Sequence, residues 1–215
     1  MSFWTQSLTN TQYSNTVETL ARDSRPRTEY FVLVALSCAI ATFGLITDAP
    51  AVVIGSMLVA PLLPPVLGLS LATATRRPQG WAQAFAALAI GAAAAVVLSA
   101  VIAWVAHGSF GLLNSLPHEV LARTQPTWFD LGIALAGGAV GAYAMSKPSL
   151  AGALPGVSIA TALMPPLCVV GIGLAVGNPA VLAGAFTLFL INIAAIILAG
   201  LIMFVWLGFR PQLLK

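Results

Sequence analysis

The sequence predicts an all-α integral membrane protein. It reads as six transmembrane helices in a 3+3 inverted-topology repeat, with helices two and five interrupted at proline motifs. Three observations lead there. Of 215 residues, 59% are hydrophobic and 7% charged, with a mean hydropathy of +0.96, whereas a soluble domain carries roughly 25% charged residues. So little charge cannot cover a water-facing surface. Six apolar runs each approach the ~20 residues that a helix needs to cross about 30 Å of hydrocarbon. Period-2 alternation and short turn-bounded segments are both absent, which argues against strands.

Residues 1–29 are polar and read as a cytoplasmic tail or interfacial segment, with Phe3, Trp4, Tyr13, Val17 and Leu20 as apolar anchors. The first apolar run, Tyr30–Thr47, follows Arg22, Arg25 and Arg27 and lacks a short h-region with a small-residue cleavage site. It is read as a retained span rather than a signal peptide. The second span is Ala51–Thr75 and the third Trp81–Ala106, completing a first three-helix repeat over 30–106. An extracytoplasmic loop covers 107–127. Spans Trp128–Met145, Leu154–Val176 and Pro179–Leu207 form the second repeat over 128–207, before a cytoplasmic tail at 208–215.

Orientation follows from the basic residues, because cytoplasmic loops carry the excess of Lys and Arg. A cytoplasmic N-terminus places Arg22, Arg25, Arg27, Arg76, Arg77, Lys147, Arg210 and Lys215 inside and only Arg123 outside. Both termini are then cytoplasmic. The net charge of +3 and pI near 9.2 serve this orientation rather than nucleic-acid binding, since the basic residues are few and lie mostly between apolar runs.

Within span two, Pro50, Pro61, Pro64 and Pro65 interrupt an apolar stretch. A shift of 105 residues lays Ala51–Leu62 over Gly156–Leu167 and matches Pro50 with Pro155 and Pro61 with Pro166. A rival shift of 101 matches Pro64-Pro65 with Pro165-Pro166 but loses most other identities. The two copies enter the membrane from opposite sides, as in the inverted repeats of many secondary transporters. Proline removes an amide donor and clashes with the preceding turn, and lipid cannot satisfy the freed carbonyls. Two matched breaks therefore point to a protein-lined centre. Carbonyls near Met57–Pro61 and Ala162–Pro166 are suited to a cation, and half-helix N-termini to an anion. Ser56, Ser70, Ser158 and Thr161 add hydroxyls. The competing reading is that the prolines only kink packed helices.

Ile54–Pro65 (IGSMLVAPLLPP) and Pro155–Leu167 (PGVSIATALMPPL) resemble the two signature stretches of domain of unknown function family 389. The resemblance covers roughly residues 28–207. It implies a bacterial or archaeal membrane protein, and hence a cell (inner) membrane location, but no settled activity, substrate or catalytic residues. Many members carry an added soluble domain, for which this chain has no room.

Other residues are weighed individually. Asp48 ends span one and is either a functional carboxylate at membrane depth or a turn residue capping span two. Asn192, the one amide of span six, lines a pathway or bonds between helices. Asp130 lies near Arg123 at a helix start. His107 and His118 fall in the outer loop without the convergent ligands of a metal site. Cys38 and Cys168 read as small buried hydrophobes. Small residues at Gly137 and Gly141, and at Gly91, Ala95, Ser99 and Ala103, form stripes that pack helices within a protomer or between protomers.

No motif of a nucleophile, metalloprotease or phosphate loop occurs, so no enzyme activity, catalytic residue, metal or cofactor is expected. The expected function is a transporter or channel for a small solute or ion. Its candidate centre comprises Ser56, Met57, Pro61, Pro64, Pro65, Ser158, Thr161, Pro165 and Pro166, with Asp48 and Asn192. The alternative is a non-transporting structural or partner-binding subunit. Expected partners are the lipid bilayer, the solute and further copies of the chain in a homo-oligomer.

Overall fold

The computed structural model describes residues 10–110 and 115–210, so Phe3, Trp4 and Lys215 lie outside the described residues. Helix α1 (Asn10–Asp23) precedes α2 (Thr28–Ile46), a bent pair α3 (Pro50–Val59) and α4 (Leu63–Thr75), and the long α5 (Pro78–Phe110). A one-turn helix α6 (His118–Leu121) lies in the connection to α7 (Trp128–Met145). A 3₁₀ segment, Pro148–Ala153, then leads to α8 (Leu154–Thr161), α9 (Met164–Ala175) and α10 (Pro179–Trp206). Among the described residues there is no strand.

Among the described residues, five helical stretches are long and apolar enough to cross a membrane: Thr28–Ile46, Pro78–Gly108, Trp128–Met145, Leu154–Ala175 and Pro179–Trp206. The pair α3 and α4, bent by 50°, passes the same test only when taken as one unit. The second expected span is therefore the one whose break is deep enough to leave the count at five or six.

Proline opens several helices. Pro50, Pro78 and Pro179 stand at first helical positions, where an amide would have no partner and φ is already set. Asn178 caps α10, its Oδ1 accepting from the backbone N–H of Ala180 and Val181 at 3.1 and 3.2 Å. Thr127 and Asp130 form a reciprocal capping box on α7. Asp130 thus serves its own helix start, while Arg123 pairs with Glu119 at 2.8 Å. His107 belongs to α5, which runs past the expected span end, rather than to the loop.

Three contacts establish how α2 and α5 run. Tyr30 donates to the carbonyl of Ala87 (2.9 Å), Cys38 to that of Ala95 (3.1 Å), and Thr42 to Ser99 Oγ (3.0 Å). The constant separation of 57 residues means that the two helices are parallel. The bent pair between them must therefore carry the chain back along the bundle. Ser99 also donates to the carbonyl of Cys168 at 2.8 Å, tying α5 to α9. Both cysteines are free and fully buried, with sulfurs 3.7 Å apart.

Glycines set the closest crossings. A Cβ on Gly171 would lie 2.6 Å from the carbonyl oxygen of Val96, and one on Gly138 would lie 2.7 Å from Ile196 Cα. Gly137 and Gly141 face Thr161 and Val157 of α8, and Ala95, Ser99 and Ala103 are completely buried. The small-residue stripes are consumed inside the protomer. Residues 10–23 are helical: Tyr13, Val17 and Leu20 share one face, with Tyr13 stacked on Phe209 at 4.9 Å. Ser24 then donates to the carbonyl of Pro64 at 3.1 Å, fastening this end of the chain to α4.

Candidate functional site

The two breaks are covalent consequences of proline. Helix α3 ends at Val59, Ala60 is extended (φ −65°, ψ 120°), and α4 opens with Leu63-Pro64-Pro65. At the second break α8 ends at Thr161, and α9 opens with Met164-Pro165-Pro166. Ala162 between them takes the left-handed conformation (φ 40°, ψ 55°). A proline nitrogen carries no hydrogen, so five carbonyls have no helical donor four residues on. They are Met57, Ala60 and Pro61 in the first break and Thr161 and Ala162 in the second.

The breaks face one another. Met57, Ala60, Leu62 and Leu63 from one and Ser158, Thr161, Leu163 and Met164 from the other line a shared cavity of about 10 Å³. That is close to the minimum a single water requires. Asn192 of α10, 4% exposed, reaches the second break: its Nδ2 lies 3.5 Å from the carbonyl oxygen of Ala162, the long limit of a hydrogen bond. Its Oδ1 is buried without a donor. The arrangement is rich in acceptors and poor in donors, because each inner half-helix lacks two of its first amide hydrogens.

Of the expected residues, Met57, Ser158 and Thr161 line the cavity, and Asn192 joins the rim of the second break. Pro61, Pro64, Pro65, Pro165 and Pro166 shape the breaks without lining the cavity. Ser56 is fully buried, but its hydroxyl donates to the carbonyl of Val53 at 2.6 Å. Thr161 likewise donates to the carbonyl of Ser158 at 3.2 Å. Such back-bonding within a helix leaves these hydroxyls satisfied. Asp48 is not brought to the breaks. It sits exposed at the α2–α3 turn with φ 52°, its Oδ1 accepting from the backbone N–H of Glu119 at 2.7 Å. It pins α6 rather than capping α3.

Of the cavity lining, Leu62 and Leu63 fall outside both carbonyl runs the sequence singles out, and Leu163 and Met164 enter there only as part of the Ala162–Pro166 run. The usable signal was the rejected shift of 101, which pairs Leu63-Pro64-Pro65 with Met164-Pro165-Pro166. The shift of 105 keeps Pro50 and Pro155 in step near the starts of α3 and α8 but not the inner half-helices, since the first break is longer by one residue and α3 longer than α8. Ala162 tests the backbone reading directly. A left-handed alanine costs roughly 1 kcal/mol that glycine does not. Ala162→Gly is expected to raise stability by up to about 1 kcal/mol and Ala162→Val to lower it by more than that, as read by thermal melts in one detergent.

The archaeal "Uncharacterized protein MJ0678" of Methanocaldococcus jannaschii is 29% identical over 183 residues, which is 85% of this chain and 55% of that protein. The chain thus spans about half the length of the curated relative it matches. No solved structure matches. Residues 57–198, which contain both inner half-helices and both breaks from Met57 onward, match the family described as "Domain of unknown function (DUF389)", and the chain belongs to that family.

Proposed function

We propose that this protein is a membrane transporter or channel for a small solute or ion, whose passage lies between the two proline breaks. The observation that carries the reading is that two breaks whose inner half-helices start 101 residues apart line one cavity. Helices α3 and α8, at ten and eight residues, are about 15 and 12 Å long. Each would bring its break roughly halfway across 30 Å of hydrocarbon.

The proposal includes six spans in a 3+3 inverted repeat with both termini cytoplasmic. The parallel run of α2 and α5 supports counting α3 and α4 as one returning span. A shift of 101 residues keeps many features in step beyond the breaks. Pro78 and Pro179 both open helices, and Arg76 and Gly177 both have positive φ. The N–H of Arg77 bonds to the carbonyl of Ala72, and that of Asn178 to the carbonyl of Gly173, both at 2.9 Å. Gly171 packs on Ser99, while Gly200 packs on Ser70. Three crossings per unit, an odd number, would turn the second unit over relative to the first.

Donor-poor, acceptor-rich breaks favour a cation or a hydrogen-bond-donating solute over an anion. The closed cavity requires α3 or α8 to move before anything passes, as alternating access would do. No enzyme activity is proposed. A homo-oligomer would use faces other than the small-residue stripes, which are occupied within the chain.

The tightness of the 10 Å³ cavity favours a second reading, a non-transporting structural or partner-binding subunit. Flux from proteoliposomes across a panel of cations, anions and small neutral metabolites separates the two. Pro61→Ala and Pro166→Ala each restore an amide donor to a break, and each is expected to change flux at least tenfold at unchanged reconstitution yield. Zero flux for wild type across the panel, or equal flux in all three proteins, would leave the packing reading standing.

A further inference from the structure

Away from the breaks, a cavity of about 680 Å³ opens between α1, the end of α4 and the first turns of α5. Its polar lining is Ser24, Arg25, Thr75, Arg76, Arg77, Gln79 and Gln83, and among the described residues no carboxylate lines it. The three arginines come from two separate chain segments that the Ser24–Pro64 hydrogen bond holds together. Three arginines lining one groove, with no carboxylate in its described lining, create a field that favours an anion.

The backbone gives an independent reason to regard this as a built site. Arg76 closes α4 with φ 53°, in the left-handed region. This helix-ending position usually belongs to glycine, and the corresponding position after α9 is Gly177, with φ 65°. An arginine held there against its backbone preference points to a requirement for its side chain. On the same stretch of α5, Trp81 and Phe85 are stacked at 5.2 Å and about half exposed. Tryptophan is enriched at the level of lipid headgroups, where Trp81 would then sit.

We propose that this groove binds the phosphate of an anionic phospholipid headgroup, with Arg25, Arg76 and Arg77 as its ligands. Phosphate suits the arginine fork, which donates two parallel N–H bonds to neighbouring oxygens. Gln79 and Gln83, one helical turn apart on α5, are placed to donate to the remaining headgroup oxygens. The proposal rests on the chain lying in a membrane and not on its carrying a solute. Basic pockets among membrane helices are known to hold such headgroups.

The test uses the full chain in detergent, with bound lipid counted by native mass spectrometry after mixing with phosphatidylglycerol or phosphatidylcholine. Wild type should retain phosphatidylglycerol in preference to phosphatidylcholine. Arg76→Gly should weaken that retention about fivefold, the factor expected for one lost surface cation. It should melt no lower than wild type, because glycine fits the left-handed position. Arg77→Gln, which leaves the helix end untouched, should weaken retention similarly. Equal retention by wild type and both variants would overturn the proposal. So would displacement of the lipid by millimolar inorganic phosphate, which would assign the groove to the free ion.

Discussion

Gly138→Val is expected to lower stability by about 3 kcal/mol or more, at or beyond the upper end of ordinary overpacking. The Cβ would stand 2.7 Å from Ile196 Cα and 2.8 Å from its carbonyl oxygen. Both are backbone atoms of a 28-residue helix, so no side-chain rotation relieves the overlap and α7 must separate from α10. Gly171→Val should behave alike, its Cβ meeting the carbonyl oxygen of Val96 at 2.6 Å and the amide nitrogen of Ala100 at 2.8 Å. Gly132 on α7 has open space around it, and Gly132→Ala should be neutral or stabilising by up to about 1 kcal/mol. Thermal melts and the yield of monodisperse protein would measure all three. A Gly138→Val protein that melts with wild type would show that the α7–α10 crossing is wrongly placed.

Asn192→Leu carries an expected functional effect as large as that of the proline variants. The side chains are similar in size, so the fold should survive. The long Nδ2 contact to Ala162 predicts a stability loss of about 1 kcal/mol, near the usual worth of such bonds between membrane helices. Flux through the proposed pathway should fall at least tenfold, because the orphan acceptor beside the second break disappears. Asn192→Gln keeps an amide and should recover part of the flux. If Asn192→Leu lost stability and flux in proportion, Asn192 would be a packing residue alone. Unchanged flux would place any pathway elsewhere.

Much of the local architecture was legible before any coordinates. The helices, their proline openings and both interruptions follow from the chain's own covalent chemistry. Apolar length decides what can lie in hydrocarbon, and a missing amide hydrogen breaks a helix wherever it falls. The tail was less legible. Tyr13, Val17 and Leu20 do fall on one helical face, but that face has meaning only because Phe209 stacks on Tyr13. Register across the breaks was misjudged for a specific reason. An ungapped shift of 105 gathers identities from Pro50 through Leu69, whereas the inner half-helices start 101 residues apart. Leu- and Ala-rich sequence offers enough chance matches to hide a four-residue change.

By itself, the sequence determined a hydrophobic helical chain with two proline-broken segments, because propensity, hydropathy and the missing proline amide act over a few residues. Only the tertiary structure decided that the breaks face one another and that Asn192 reaches Ala162. It also decided that Asp48 is spent on α6, and that Arg25 meets Arg76 and Arg77 around one groove. Those outcomes depend on helix rotation and on contacts such as Ser24 with Pro64, 40 residues apart. Periodicity cannot supply them, because in nearly uniform apolar helices every face looks alike until a partner's glycine or hydroxyl selects one.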